Sequence, residues 1–223
     1  MSLVSLGDFG VDWLDLERPF SGTWLARARL DIGTDDPPAL GPATLTFDTG
    51  SASMAYVGTI IESYEDEGDG WVLMVGGAGG LRRALTGDDY ERPPPRVVVA
   101  AILAGAGELA GDLASLAPLL RIEPFYSRLA GLASRQLDAV CQVIGARWTV
   151  RADGAVDVGP AAWPTYPSDA FIVHRPNANG ILDAEPELPD IDPGSIVDGY
   201  RVAHVRYFVT EGGLSAKLGL EAP

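Results

Sequence analysis

The sequence predicts an α+β fold that is mainly β, with a small antiparallel barrel or sandwich and an inserted helix-containing α/β region. Three observations predict this class. Short alternating segments separated by Gly, Pro and Asp clusters fill the first third of the chain. Apolar residues recur at three- and four-residue spacing in the middle, and alternation returns at the C-terminus.

This order predicts three regions along the chain. We expect an N-terminal β-barrel-like domain over residues 1–92, a helix-containing α/β region over 93–167 and a C-terminal β segment over 168–223. The last segment is expected to form a second barrel or to complete the first. With 223 residues and 47% apolar content, the chain is long enough to bury a sizeable core.

The N-terminal strands are predicted from alternation. Within Thr23–Leu30 every second side chain is Trp, Ala, Ala or Leu, which gives this strand one apolar face. Further strands are predicted at Ala43–Phe47, Ala55–Glu62 and Trp71–Val75. The acidic stretch Glu62–Gly70 is predicted to be an exposed hairpin loop, because its residue order does not supply a spaced calcium-ligand loop.

The first predicted helix follows the boundary Pro93–Pro95, whose last proline suits a first helical turn. It runs from Val97 to about Ala106, and the glycines after it end it. One side of this helix is predicted to carry Val98, Ala101, Ile102 and Gly105.

A longer helix is predicted over Ser127–Ile144, because apolar residues recur there at helical spacing and Gly145 follows. Its predicted apolar face is Leu129, Leu132, Ala133, Leu137, Val140 and Ile144. Cys141 is the only cysteine, which excludes an internal disulfide, and it is expected at a buried helix position.

Alternating β-structure is predicted on both sides of the proline-rich connector Pro160–Pro167. Residues 146–159 alternate around Ala152–Gly154, which predicts a hairpin whose Trp148 packs on the longer helix. Tyr200–Val209 predicts a strand, and Gly212 and the glycine after it turn the chain into a last one.

The charge balance excludes several classes of function. The formal net charge is −15, from 31 acidic against 16 basic residues, and Lys217 is the single lysine. Because affinity for phosphates comes from clustered Lys and Arg, we expect no sequence-specific binding of nucleic acid. No membrane span and no signal peptide are predicted, since the longest apolar run is Val97–Leu103 and no basic segment precedes an apolar one at the N-terminus.

One motif suggests an enzyme. Leu45–Gly58 contains Phe-Asp-Thr-Gly-Ser, the pattern of an aspartic protease catalytic loop, yet such enzymes need two carboxylates and no second Asp-Thr-Gly or Asp-Ser-Gly is present. A homodimeric, retroviral-type peptidase using Asp48 remains, with Val143–Gly145 as its second signature. That signature lies too far along the chain for a compact domain of roughly one hundred residues. The competing prediction is a turn between two strands.

Two glycine clusters suggest phosphate binding. Gly76–Arg83 lacks the Gly-Lys-Ser/Thr ending whose lysine and hydroxyl contact phosphate and magnesium, so tight backbone packing is expected there. Gly105–Gly111 follows an apolar run and precedes Glu123 in the manner of a dinucleotide fingerprint. That fingerprint needs a repeated βαβ framework, which the sequence does not predict. A nucleotide-binding domain at Gly105–Gly111 is therefore the weaker alternative to a helix ended by glycines.

No metal or cofactor site is predicted. The chain has two histidines, His174 and His204, and neither has a second histidine or cysteine at ligand spacing. No Gly-x-Ser-x-Gly elbow is present to suggest a nucleophilic serine.

Several motifs occur in an order that is familiar from one family. They are Tyr56–Ile60, Gly76–Leu81, Tyr90, Ala106–Glu108, Gly145–Trp148 before Asp153–Gly154, and Asp192–Gly194 leading to Val202–Tyr207. In this order they resemble the baseplate hub proteins of phage tails and related contractile injection machines. The resemblance covers most of the chain and concerns turn chemistry, not a catalytic signature.

The resemblance implies tube-like β-barrel domains with an inserted α/β region, assembled as a ring, typically a trimer. It implies a structural protein, not an enzyme, that links a tail tube or tube-initiator protein to the central spike. Such a protein is made in the host cytoplasm and located in the virion tail baseplate. The acidic charge would then line the lumen of the ring; the alternative is that it only keeps the protein soluble. Because such hubs are often longer, one barrel is expected to be reduced or supplied by another chain.

Overall fold

The computed structural model describes residues 3–113, 116, 125–160, 165, 172–173, 180–210 and 213–221. Glu123, His174 and Gly212 lie outside the described residues, as does most of the connector Pro160–Pro167. The described chain is mainly β with helices in its middle, so the predicted fold class is confirmed.

The elements follow one another in three groups. The N-terminal group is β1 (Val4–Leu6), β2 (Phe9–Pro19), β3 (Leu25–Asp31), β4 (Gly41–Asp48), β5 (Ser53–Asp66), β6 (Asp69–Gly76), the 3-10 helix η1 (Gly80–Arg82), β7 (Ala84–Leu85) and β8 (Asp88–Glu91). The middle group is α1 (Pro95–Ala106), β9 (Phe125–Arg128), β10 (Gly131–Leu132), α2 (Ala133–Ile144), β11 (Ala146–Val150) and β12 (Val156–Pro160). The C-terminal group is β13 (Ile172–Val173), β14 (Ile181–Glu185), β15 (Ile196–Val197), β16 (Tyr200–Thr210) and β17 (Gly213–Leu220).

Six strands close into an antiparallel barrel in the order β1, β4, β5, β6, β3, β2, with β1 pairing back onto β2. The long strand β2 serves two partners on one edge. Its residues Phe9 and Gly10 pair with β1, whereas Leu14–Pro19 pair with β16. The sheet therefore branches at β2, and β16, β17, β14 and β13 extend it outside the barrel.

The inside of the barrel is filled by side chains. The apolar face predicted for Thr23–Leu30 is confirmed, because Trp24 and the alternate residues after it are buried. They pack in one cluster with residues from the other barrel strands, including Leu14, Leu45, Phe47, Tyr56, Ile60, Val72 and Met74. Trp24 meets Tyr56 edge to face, with ring centroids 5.4 Å apart. The interior of this barrel is a packed core and not a passage.

Glycines make room for Trp24. A Cβ on Gly58 would lie 2.2 Å from the carbonyl oxygen of Val75 and 2.6 Å from the Trp24 ring. A Cβ on Gly76 would lie 2.5 Å from the indole nitrogen. Gly58 and Gly76 are register partners on β5 and β6, so the indole packs directly against the backbone of both strands at this position.

The first predicted helix is confirmed, with its C-terminal end at Ala106 and its start two residues before Val97. α1 begins at Pro95 and is capped by Gly107 in the left-handed region at φ 77°. Its buried residues are Pro95, Val98, Val99, Ile102, Leu103 and Ala106. On the side predicted to carry Val98, Ala101, Ile102 and Gly105, the first and third of these residues are buried and Gly105 is exposed.

The longer helix is predicted correctly only from Ala133 onward. α2 begins at Ala133, because Phe125–Arg128 instead pairs with β8 and Gly131 and Leu132 pair with β7. Leu129 is 79% exposed and is not part of a helical apolar face. From Ala133 to the left-handed cap Gly145, the predicted face and the buried Cys141 are confirmed.

The predicted C-terminal strands are also confirmed. Along β16 the residues Val202, Val205, Tyr207 and Val209 are buried, and β17 returns antiparallel beside it. Among the described residues, no helix is long and apolar enough to cross a membrane.

Candidate functional site

The glycine-rich loop between β6 and η1 surrounds a carboxylate of the same chain. Glu108, just after α1, is buried and accepts hydrogen bonds from three backbone amides. Ala78 donates to Oε2 at 2.8 Å, and Gly80 and Leu81 donate to Oε1 at 2.6 and 3.1 Å. Such converging amides form an anion-binding nest, and here the anion is part of the protein.

The tight backbone packing predicted for Gly76–Arg83 is confirmed. A Cβ at Gly77 would lie 2.4 Å from Glu108 Oε2, and one at Gly80 would lie 1.9 Å from the carbonyl oxygen of Ala106. A phosphate would have to displace the carboxylate from these amides. Glu108 itself was not predicted, because it lies 30 residues from Ala78 and no local pattern marks it as the partner of the loop.

Gly105–Gly111 lacks the geometry of a dinucleotide site. The apolar run before it forms the helix α1 and not a strand, so the glycines lie at a helix C-terminus, where carbonyl groups and not amides are presented. Gly111 donates its amide to the carbonyl of Val156 at 2.9 Å. Every pairing between the named strands is antiparallel in the described part of the chain, so no parallel βαβ unit surrounds this segment.

The β11–β12 hairpin, predicted over 146–159, attaches the α/β region to the Trp24 end of the barrel. The Trp24 indole donates to the carbonyl of Arg151 at 3.2 Å, and the amide of Val57 donates to the carbonyl of Ala152 at 2.6 Å. On the other face of the hairpin, the buried Trp148 donates through Nε1 to Asp138 on α2 at 2.8 Å. The predicted packing of Trp148 on the helix is therefore confirmed.

A buried arginine anchors the segment before β15 to the barrel. Arg18 points inward from β2, donates to the carbonyl of Ile191 at 3.2 Å and forms an ion pair with Asp192. Its guanidinium lies 5.5 Å from the centroid of the Tyr56 ring. The hydroxyl of Tyr56 donates to the carbonyl of Pro189, and that of Tyr207 donates to Ile191 at 2.9 Å. The guanidinium of Arg18 and the hydroxyls of Tyr56 and Tyr207 therefore all have partners within the chain. We term these three side chains the cluster, and its role is structural.

We expect the folded protein to lose stability at alkaline pH through these tyrosines. Burial raises the pKa of Tyr56 to about 12 and raises the pKa of Tyr207 well above the ordinary value. The folded state then keeps protons that the unfolded chain releases near pH 10, so the stabilisation is complete below about pH 10 and is lost as the pH rises toward about 12. Melting temperatures measured across that range should fall steeply. Tyr56→Phe should make this decrease in melting temperature smaller, whereas Tyr200→Phe, at an exposed position, should leave it unchanged. A melting temperature of the parent protein that does not change over this pH range would contradict the proposed burial of the two tyrosines.

A cleft of about 330 Å³ beside Arg18 separates the hairpin from the segment 190–193. Its charged lining residues are Arg18, Arg147, Arg151, Asp157, Asp190 and Asp192. Arg147 donates to the carbonyl of Phe20 at 2.8 Å, and Arg151 lies 3.8 Å from Asp157. The charges of the cleft are thus largely used to join three segments of the chain.

Asp48 is the exposed last residue of β4, at the start of the hairpin turn to β5, so the predicted turn is confirmed and the strands extend to the pair Asp48 and Ser53. Its Oδ1 accepts the amide of Gly50 at 2.8 Å, and its own amide donates to the carbonyl of Leu3 at 2.9 Å. The side chains of Thr49 and Ser51 both hydrogen-bond Glu187. The Asp-Thr-Gly-Ser motif therefore has two structural roles. Its aspartate stabilises the turn, and its threonine and serine bond the hairpin to the C-terminal part of the chain.

His204 lies on β16 as predicted, and its ring covers Gly219 of β17, where a Cβ would come within 1.9 Å of it. Across the described residues, no three His, Cys, Asp or Glu side chains gather in a way that could hold a metal ion.

Two surface features stand out from the rest of the chain. The first, which we term the groove, lies between the β9–β10 segment and the outer side of α2; it is lined by Tyr126, Leu129, Ala139, Val143 and their neighbours. The second, which we term the acidic tip, is the end of the β5–β6 hairpin, residues 62–69, where Tyr64 is exposed among acidic residues. The sequence predicted the tip as an exposed loop, but its strands extend to Asp66 and Asp69 and leave a two-residue turn.

Comparison with solved structures identifies proteins with this fold. The 43 kDa tail protein of prophage MuSo2 from Shewanella oneidensis is similar with a TM-score of 0.65 and 9% identity over 97% of both chains. A tail protein from Neisseria meningitidis MC58 is similar with a TM-score of 0.59 and 12% identity, over 99% of this chain and 96% of that one.

A third similar structure is an Escherichia coli component of the type VI secretion system, which is described as structurally similar to the bacteriophage T4 tail proteins gp27 and gp5. Its TM-score is 0.55 with 12% identity, over 98% of this chain and 77% of that one. The resemblance predicted from the order of motifs is thus confirmed for the fold. No protein-family model and no curated protein matches the sequence.

Proposed function

We propose that this chain is a structural component of a phage-like tail. The observation that carries the proposal is that the likeness to tail proteins spans the whole fold, barrel and α/β region together, at 97% of both chains in one case. The local chemistry agrees with it. Glu108 and Arg18 bond distant segments of the chain together, and the side chain of Asp48 accepts an amide within its own turn.

Within the tail, we propose the role of a baseplate hub that links the tail tube to the central spike. The type VI secretion component, described as similar to gp27 and gp5, supports this assignment. Because the barrel interior is packed with side chains, a passage for cargo has to lie between copies of the chain and not within one. A ring of copies, a trimer in our proposal, would place part of the net charge of −15 around that passage, where acidic groups repel a negatively charged cargo from the wall.

The test is assembly with tail components. We expect the purified chain, mixed with the tail tube protein and the spike protein of the same tail, to form a complex that contains both. Light scattering should give a mass that corresponds to a ring of 23.5 kDa copies. If the chain binds neither the tube nor the spike protein, the proposed function is wrong.

Asp48→Asn separates this proposal from the peptidase alternative. Asp48 is exposed and its Oδ1 accepts one local hydrogen bond, which the asparagine oxygen can also accept, so stability should change by less than about 0.5 kcal/mol. Assembly with tail proteins should be unchanged. Incubation with a denatured protein substrate gives the second measurement: cleavage by the parent chain that Asp48→Asn abolishes would establish the peptidase instead.

A further inference from the structure

The groove is a mainly apolar depression with a volume of about 310 Å³, and no described part of the chain covers it. Val143, on the solvent side of α2, is 58% exposed, and Phe125, next to the groove residue Tyr126, is 76% exposed. Leu129, which also lines the groove, is 79% exposed, and with Val143 it gives the groove an exposed apolar surface of the kind that marks an interaction site.

The charges of the groove favour an acidic occupant. Its charged lining residues are Arg128 and Arg135, in a chain that is otherwise strongly acidic. Arg135 is largely exposed, and Asp138, 3.9 Å away, already accepts the hydrogen bond of Trp148. Arg128 is mostly buried, donates to Gln136 Oε1 at 3.0 Å and has Asp88 at 3.9 Å. An exposed ion pair such as that of Arg135 contributes little, so a carboxylate that docks here can improve on it.

The acidic tip has the complementary chemistry. Glu62, Glu65, Asp66 and Glu67 are exposed, and Tyr64 is 53% exposed among them. The tip is rigid, because the β5–β6 ladder continues to the pair Asp66 and Asp69. A tyrosine on a rigid hairpin is a good anchor for an apolar groove, since aromatic residues and arginine dominate the energetics of interfaces.

The tip and the region that carries the groove meet strand β5 at separate places. The tip is the far end of the β5–β6 hairpin, beyond Gly70, whereas the amide of Val57 on β5 bonds the carbonyl of Ala152 in the α/β region. About nine residues of strand β5 separate Val57 from Asp66, which is roughly 30 Å. A contact between tip and groove is therefore expected between copies and not within one.

We propose that the acidic tip of one copy docks in the groove of the next copy. Such a contact joins two different surfaces, so it is heterologous and repeats from copy to copy into a ring or an open helix. The inference rests on the proposed assembly of this chain in a tail, and it names the surfaces through which the copies join. Tyr64 fills the groove, and the carboxylates around it meet the exposed Arg135.

The experiment uses paired cysteines in mixed copies. One preparation carries Glu65→Cys and the other Ala139→Cys, which lines the groove and leaves its arginines in place; both positions are exposed, so neither change disturbs the core. The native Cys141 is buried, and burial raises the pKa of its thiol to about 12, so it stays unreactive toward a short bis-maleimide linker. We expect the mixture to give cross-linked pairs several-fold above a control mixture of Glu65→Cys with Arg96→Cys, an exposed position on α1.

Each result of the cross-linking supports or overturns the proposed contact between tip and groove. Equal cross-linking in the test and control mixtures, or none in either at millimolar concentration, overturns the inference. Binding of the tube and spike proteins is measured on the same preparations. If the tube and spike proteins bind but the tip-to-groove cross-link does not form, the inference is wrong and the proposed function stands. If groove variants such as Leu129→Ser lose binding of a tail protein but still self-associate, that tail protein occupies the groove and the inference is also wrong.

Discussion

Glu108→Ala is expected to lower the free energy of unfolding by about 3–5 kcal/mol. The change leaves the amides of Ala78, Gly80 and Leu81 without their acceptor, and the last two of these residues are buried. Each hydrogen bond to a charged group is worth about 1.5–3 kcal/mol, and the contributions of one carboxylate are not additive. Urea unfolding followed by tryptophan fluorescence measures the loss. Hydrogen exchange should show that these three amides lose protection first.

Two control variants define the cause of that loss. Glu108→Gln keeps one carbonyl oxygen for Gly80 and Leu81 but turns an amide group toward the amide of Ala78, so it should lose about half as much. Glu91→Ala, on the exposed strand β8, should change stability by less than about 0.5 kcal/mol. A loss below about 1 kcal/mol for Glu108→Ala would show that the loop does not depend on its carboxylate.

Gly58→Ala is expected to destabilise the protein by about 3 kcal/mol or more, although it adds one methyl group. The new Cβ would lie 2.2 Å from the backbone oxygen of Val75 and 2.6 Å from the buried Trp24 ring, and neither atom can move without disturbing the barrel. Denaturant unfolding measures the loss, and the fluorescence of Trp24 should shift as its packing changes.

Gly105→Ala is the matched control, because it makes the same chemical change in the other glycine-rich segment. Gly105 is exposed near the end of α1, and its Cβ would meet Leu85 at an ordinary 3.4 Å. Replacing a helical glycine by alanine should stabilise the protein by about 0.5–1 kcal/mol. If Gly58→Ala and Gly105→Ala changed stability in the same direction, the close approach of Trp24 to β5 would be wrong.

The proposed ring and the packed barrel have a common consequence. Since the core of one chain leaves no passage, the lumen and its charge become properties of the assembly. Under this proposal the residues that matter for function are exposed ones, such as Tyr64, Leu129 and Arg135, which a search for catalytic patterns passes over.

The sequence predicted most elements of the fold where the signal was local. Alternation identified the inner face of β3, and Pro95 and Gly107 marked the ends of α1. A proline fixes a first helical turn and a glycine permits the left-handed cap, and both effects act within a few residues. The hairpin 146–159 was predicted for the same reason, because its turn residues lie between its own strands.

The sequence by itself thus determined the mainly β class, the positions of turns and caps, and the acidic charge. Only the tertiary structure decided that Phe125–Arg128 is a strand, because its partner β8 is distant in sequence and strand pairing outweighs a helical apolar spacing. Only it showed that the glycine loop holds Glu108 and that β2 pairs with both β1 and β16. In each case the deciding interaction joins residues far apart in the chain, and periodicity within a short window carries no information about such partners.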